Sequence, residues 1–162
     1  MVSEIKSIKS FKVDHTKLCR GVYVSCYDTI GEFTITTFDI RMKTPYKELP
    51  LSPEVSHTIE HLAASWLRNS YRKNDIIYFG PMGCLTGFYL IIKGKYTAMQ
   101  FKWYLASLFR WMSTYEGEIP GATIKECGNY KLNNLEKARD ESKIFLTDVV
   151  LKMKENNTKY PE

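Results

Sequence analysis

Residues 33–42 read F-T-I-T-T-F-D-I-R-M. A run this rich in β-branched and aromatic residues predicts a strand, because such side chains fit a pleated, half-buried surface. C-terminal to it, Pro45, Pro50 and Pro53 mark an irregular connection. Ser52 is placed to cap a helix, with Pro53 at the first helical position, where the missing N–H costs nothing. That helix is expected to run to about Arg72. Asp75 to Phe79 and Phe88 to Lys93 read as two further strands. The turn-rich segment G-P-M-G-C-L-T-G, residues 80–87, separates them. Thr97 to Tyr115 reads as a second helix, with Phe101, Leu105, Leu108 and Met112 at helical spacing. Residues 116–132 carry Gly117, Pro120, Gly121 and Gly128 and read as loop. A third helix is expected from near Asn133, where Asn133 and Glu136 can form a capping box, and it fades around Asn156. Residues 13–32 receive no element. Strands and helices mix without strict βαβ alternation, so the class expected is α+β.

The chain has 162 residues, which fits one domain spanning 1–162, since a core can be built at this size without staples. Hydrophobic residues make up 44% and aromatics 14%, which argues against disorder as the dominant state. The longest purely apolar run, Phe88 to Ile92, is far short of the ~20 residues that span a bilayer. Residues 1–12 scatter Lys6, Lys9 and Lys12 without an apolar h-region, so no signal peptide is expected. The net charge is +5, and from Ile76 to Tyr115 the only charged residues are Lys93, Lys95, Lys102 and Arg110. Four cations over that length read as a solvated face rather than a nucleic-acid stripe. Neither a nucleic-acid nor a membrane partner is expected. Cys19, Cys26, Cys84 and Cys127 contain no C-x-x-C, and without a signal peptide they fit free thiols in a reducing, cytoplasmic setting.

Two of the three histidines fall in H-T-I-E-H, residues 57–61, inside the first expected helix. At about 100° per residue, His61 lies about 40° from His57 and Glu60 about 60° to its other side. Val55, Ile59, Leu62 and Trp66 fall near the opposite side. One stripe can therefore be buried while His57, Glu60 and His61 turn towards a site. An i, i+4 histidine pair with an acid between them suits a divalent metal, but a third ligand is required. H-x-x-E-H also occurs in inverzincin peptidases, which take a later carboxylate; Glu116, Glu118, Glu126 and Glu136 are available. Cys127, in the loop before Gly128, competes as a soft thiolate ligand suited to Zn²⁺ or Fe²⁺. Cys84 sits between Gly83 and Gly87, on a turn where glycine would let the backbone bend tightly and present the thiol to a cleft. Near a cation its thiolate would serve as a base or nucleophile close to neutral pH.

H-T-I-E-H, then P-M-G-C-L-T-G-F-Y, then E-C-G, in this order and spacing, resemble the LuxS family of S-ribosylhomocysteine lyases. S-F-K-V-D-H, residues 10–15, and F-D-I-R, residues 38–41, look like two more of its motifs. The resemblance covers nearly the whole chain. It implies that His57, His61 and Cys127 hold one divalent metal, Fe²⁺ natively and Zn²⁺ as an alternative. It implies that Glu60 and Cys84 are the acid–base residues. It implies that Ser10, His15 and Arg41 line the substrate pocket, Ser10 and His15 reaching it from a partner subunit. The implied fold is an α+β sandwich of an antiparallel sheet with packed helices, forming a homodimer with active sites at the interface. The implied reaction cleaves S-ribosylhomocysteine to homocysteine and 4,5-dihydroxy-2,3-pentanedione, precursor of the autoinducer-2 quorum-sensing signal. Where the family reads I-D-I-S before P-M-G-C, this chain has Ile77, Tyr78, Phe79 and Gly80, so Tyr78 replaces the acid facing the amino-acid end of the substrate. The rival readings are a non-catalytic or substrate-shifted member of the same family and the H-x-x-E-H zinc peptidase.

Overall fold

The structure is a computed structural model that describes residues 13–161. Four antiparallel strands form one sheet in the order β1-β2-β4-β3: β1 (Gly21–Ile30), β2 (Phe33–Arg41), β3 (Ile76–Pro81) and β4 (Gly87–Lys93). Three helices pack on it: α1 (Pro53–Asn69), α2 (Ala98–Ser113) and α3 (Leu135–Phe145). This is the expected α+β class. β1 is the element that the sequence reading left out. It forms a hairpin with β2 through Gly31 and Glu32, and Gly31 takes a φ of 58° that L side chains resist.

Strand alternation sends one set of side chains to the helices and the other to the open face. Phe38 and Ile40 of β2 pair with Leu90 and Phe88 of β4, and all four are fully buried in the core. Phe38 meets Phe101 of α2 with ring centroids 4.8 Å apart. Truncating such a buried ring to alanine costs about 3–5 kcal/mol. On the opposite face, register aligns Thr37 with Ile91 and Ile91 with Tyr78, and Tyr78 is 47% exposed. Asp39, Arg41 and Tyr89 continue this face towards one end of the sheet.

The first helix follows its sequence signals. The Ser52 side chain accepts from the Val55 N–H at 3.4 Å, and Pro53 opens the helix. Val55, Ile59, Leu62 and Leu67 are buried, while His57, Glu60 and His61 are half-buried. Arg68 donates to the carbonyls of Ile76 and Ile77 at 2.7 and 2.9 Å, tying the end of α1 to the start of β3.

The third helix departs from expectation at both ends. Its cap is Asn134, which accepts from the Lys137 N–H at 3.0 Å, and not Asn133. Asn133 instead donates to the Tyr130 carbonyl at 2.7 Å and so fixes the loop that precedes the helix. The α-helix stops at Phe145, continues as a π-type turn over Leu146–Val150, and gives way to a short 3-10 turn over Glu155–Asn157.

Candidate functional site

His57 and His61 project from α1 towards the loop between α2 and α3. The loop carbonyls fix both rings. His57 Nδ1 lies 2.7 Å from the Leu132 oxygen and His61 Nδ1 2.8 Å from the Pro120 oxygen. A carbonyl only accepts, so each Nδ1 carries a proton and each ring turns its Nε2 towards the other. The two Nε2 atoms are 3.1 Å apart, and Cys127 Sγ is 3.4 Å from His57 Nε2. The Asn129 N–H donates to Cys127 Sγ at 3.4 Å.

Two imidazole nitrogens and one sulfur, all within 4.8 Å of one another, form the group that can hold a metal ion. The fit is chemical as well as geometric. Two acceptor nitrogens facing each other repel unless a cation or proton lies between them. Nitrogen ligands ~2.0–2.1 Å from a tetrahedral ion stand roughly 3.3 Å apart, close to the observed separation. Three protein donors would leave a four-coordinate ion one open position. No carboxylate joins this cluster among the described residues. Glu126 is bonded by the Thr123 hydroxyl at 2.7 Å, and Glu116 faces Arg139. Cys127 thus takes the place that a peptidase would give to a later acid, and the peptidase reading is not favoured.

A second group assembles around Cys84, in the turn between β3 and β4. It lines a pocket of about 250 Å³ with His15, Asp39, Arg41, Tyr89 and Tyr160. The bend here has a different source from the one expected. Leu85, not a glycine, takes the left-handed conformation, with φ 57°. Its N–H donates to the Met82 carbonyl at 2.9 Å, which closes the turn. Gly87 serves another purpose: a Cβ there would sit 2.1 Å from the Ile40 carbonyl oxygen, so only glycine permits this approach of β4 to β2.

Arg41 is buried and ion-paired to Asp39 at 2.7 Å. Its other arm donates to the Thr86 hydroxyl at 2.5 Å and lies 3.8 Å from Cys84 Sγ. The Thr86 hydroxyl is 3.0 Å from the same sulfur. Burial pushes the Cys84 thiol up, but hydrogen bonds from Thr86 and the charge of Arg41 outweigh it, and the thiol ends below its ordinary range. Asp39 Oδ1 and Arg41 Nε are buried without a hydrogen-bond partner among the described residues.

The structure therefore gathers the eight candidate residues unevenly. His57, His61 and Cys127 come together at one place, and His15, Arg41 and Cys84 at another. Glu60 stays on the metal-bearing helix. Ser10 lies outside the described residues. Asp39, Thr86, Tyr89 and Tyr160 were missed; F-D-I-R contains Asp39 and P-M-G-C-L-T-G-F-Y contains Thr86 and Tyr89, so those three had a signal, whereas Tyr160 had none. A cavity of about 820 Å³ between α1 and α2 is lined by Trp66, Trp103 and Trp111 and holds none of the candidate residues. Its lining includes Pro120, whose carbonyl fixes His61.

The S-Ribosylhomocysteinase (LuxS) family matches residues 8–156. An S-ribosylhomocysteine lyase of Phocaeicola vulgatus is 48% identical over 158 residues, covering 97% of this chain and 98% of the relative. One of Clostridium beijerinckii is 46% identical over 158 residues, covering 97% and 99%. One of Porphyromonas gingivalis is 44% identical over 159 residues, covering 98% and 100%.

Proposed function

Since the chain belongs to the S-ribosylhomocysteinase (LuxS) family, we propose that it is a lyase cleaving S-ribosylhomocysteine to homocysteine and 4,5-dihydroxy-2,3-pentanedione, the autoinducer-2 precursor. The observation that carries this reading is the cluster of His57, His61 and Cys127 in a chain of that family. The resident ion is Fe²⁺, with Zn²⁺ as a substitute. When bound, it supplies Lewis acidity that polarises a carbonyl or hydroxyl oxygen of the substrate.

The chemistry left to the side chains is proton movement. A thioether leaves readily by β-elimination only when a carbonyl activates the carbon that loses its proton, so the sugar carbonyl must first migrate along the chain. Cys84, favoured as thiolate by Arg41 and Thr86, removes a proton from the carbon beside the carbonyl and returns it to the former carbonyl carbon, so that the carbonyl moves one place along the chain. Glu60 moves protons among the oxygens and assists the final elimination. Ser10, His15 and Arg41 bind the substrate. No oxidant is consumed, because one sugar carbon is oxidised as its neighbour is reduced.

The active unit is a homodimer. Two features support this reading. The Cys84 pocket lies at the end of the open sheet face, which carries Thr37, Ile91 and Tyr78 in register. The pocket shares no lining residue with the metal cluster. A second copy seated on that face would complete each site from both chains. The whole chain, 1–162, acts as one domain in the cytoplasm, on a small soluble substrate without a nucleic-acid or membrane partner. Free thiols at Cys19, Cys84 and Cys127 are in keeping with a reducing compartment. Among the described residues, no helix is long and apolar enough to cross a membrane.

The test is homocysteine release from S-ribosylhomocysteine by anaerobic, Fe²⁺-loaded protein, followed with a thiol reagent. Folded, metal-loaded protein that releases none overturns the assignment.

A further inference from the structure

We propose that Tyr160, brought back to the sheet by the C-terminal segment, is a positioning residue for Cys84 that acts through Asp39 and Arg41. The proposal deepens the acid–base role given to Cys84 above and rests on that reading.

After the buried Met153 and the turn over Glu155–Asn157, the chain returns to β1. The Tyr160 ring stacks on Tyr23 with centroids 4.8 Å apart and planes 17° from parallel. Its hydroxyl lies 2.9 Å from Asp39 Oδ2. Burial, and then the Asp39 charge, push this phenol well above its ordinary range, so it stays protonated and donates. The same Oδ2 accepts from Arg41 Nη2 at 2.7 Å. A line of contacts thus runs from Tyr160 to Asp39, to Arg41, and on to Thr86 and Cys84.

The ion pair in the middle is under-satisfied, since Asp39 Oδ1 and Arg41 Nε have no partner among the described residues, and both residues are at least 97% buried. In such a setting each remaining hydrogen bond has a large effect on orientation and charge. The Tyr160 hydroxyl takes up part of the carboxylate's negative charge and fixes its rotation. Without it, Asp39 draws Arg41 harder and opposes more of the positive field that reaches the thiol. Both changes disfavour the thiolate. The titratable groups around Cys84 are Asp39 and Arg41 from β2, Tyr89 from β4, His15 from the N-terminal segment and Tyr160 from the C-terminal one. Tyr160→Phe alters one hydroxyl among them and keeps the stack on Tyr23.

The experiment alkylates the full-length, metal-loaded protein with iodoacetamide between about pH 5 and pH 10 and resolves each cysteine peptide by mass spectrometry. In Tyr160→Phe the midpoint of the Cys84 profile should rise. Its rate below the midpoint should fall roughly 3–10-fold, while the exposed Cys19 keeps its profile as an internal reference and an unchanged circular dichroism spectrum reports an intact fold. Tyr160→Ala should move Cys84 at least as far. A Cys84 midpoint that is unchanged or lower in Tyr160→Phe overturns the proposal. Alkylation requires no turnover. A chain that shows the shift but releases no homocysteine would overturn the lyase assignment and leave this role of Tyr160 standing.

Discussion

His57 and His61 face each other with their Nε2 atoms 3.1 Å apart, while each Nδ1 is committed to a backbone carbonyl of the same loop. The loop thereby sets tautomer and ring orientation for both histidines and also carries Cys127. Metal affinity in this chain is accordingly a property of the α2–α3 loop as much as of α1.

Replacing Cys127 by alanine should reduce bound metal from about one ion per chain to a small fraction, because water cannot substitute for a thiolate's charge. Glu126→Gln should leave the metal in place, since its carboxylate is outside the cluster. Elemental analysis of the two purified variants decides the matter. Retention in Cys127→Ala together with loss in Glu126→Gln would restore the peptidase reading.

Gly121 offers a subtler test of the loop. Its φ is 72°, and a Cβ there would stand 3.3 Å from His61 Nδ1. Gly121→Ala should therefore strain the backbone and push the ring away from the Pro120 carbonyl. The expected loss is about 10–100-fold in metal affinity, the usual range for disturbing a ligand's outer support. Competition with a chromogenic chelator measures it, and circular dichroism checks that the helices persist.

The parts of this molecule that were legible beforehand are those whose cause is local. Ser52, Pro53 and the spacing of Val55, Ile59 and Leu62 specify α1 from within one segment, and the same spacing places His57 and His61 together. β1 was not read because its register shifts between Val24 and Cys26, which breaks the period-2 pattern of V-Y-V-S-C. The end of α3 was overextended because Leu146, Val149 and Val150 keep an apolar pattern after the backbone has changed to a π-type turn. Adjacent Asn133 and Asn134 are equally good caps in isolation; the bond from Asn133 to Tyr130 separates them. Tyr160 meets Asp39 across 121 positions of sequence, a contact that only the folded sheet creates.

Acid stability should report the pair formed by Arg20 and Glu48. The Arg20 guanidinium, through its hydrogen bonds, holds the Glu48 carboxyl down to about 2 from an ordinary 4.5. A depressed folded pKa contributes stability above the unfolded value and loses it as pH falls through the folded one. Glu48→Gln should therefore lower stability by about 1 kcal/mol near neutral pH. The gap from wild type should narrow from about pH 4.5 downward and close towards about pH 2. Urea unfolding at a series of pH values tests this; a gap that stays constant across the range would sink it.

Glu60 and Cys84 should divide the proton transfers, and their positions are the reason. Glu60 is fixed on α1 between the two histidines, whereas Cys84 sits on a turn held by Leu85 and approached by Arg41. Neither belongs to the metal cluster, so Glu60→Gln and Cys84→Ala should both keep the ion. Each should lose on the order of 10²–10⁴-fold in turnover, the usual contribution of a positioned acid–base group. Their failures should differ in kind. Cys84→Ala lacks the group that moves carbon-bound protons, so in deuterated water its substrate should take up little label at the sugar carbons. Glu60→Gln retains the thiolate, so label should enter those carbons while homocysteine release stays low. Nuclear magnetic resonance of recovered substrate separates the two patterns. Cys84→Ala protein that keeps its metal, exchanges the sugar carbons and releases homocysteine at the wild-type rate would make the thiol structural. The carbon-bound protons would then have to be moved by Glu60 or by His15, and the pocket around Arg41 would serve binding alone.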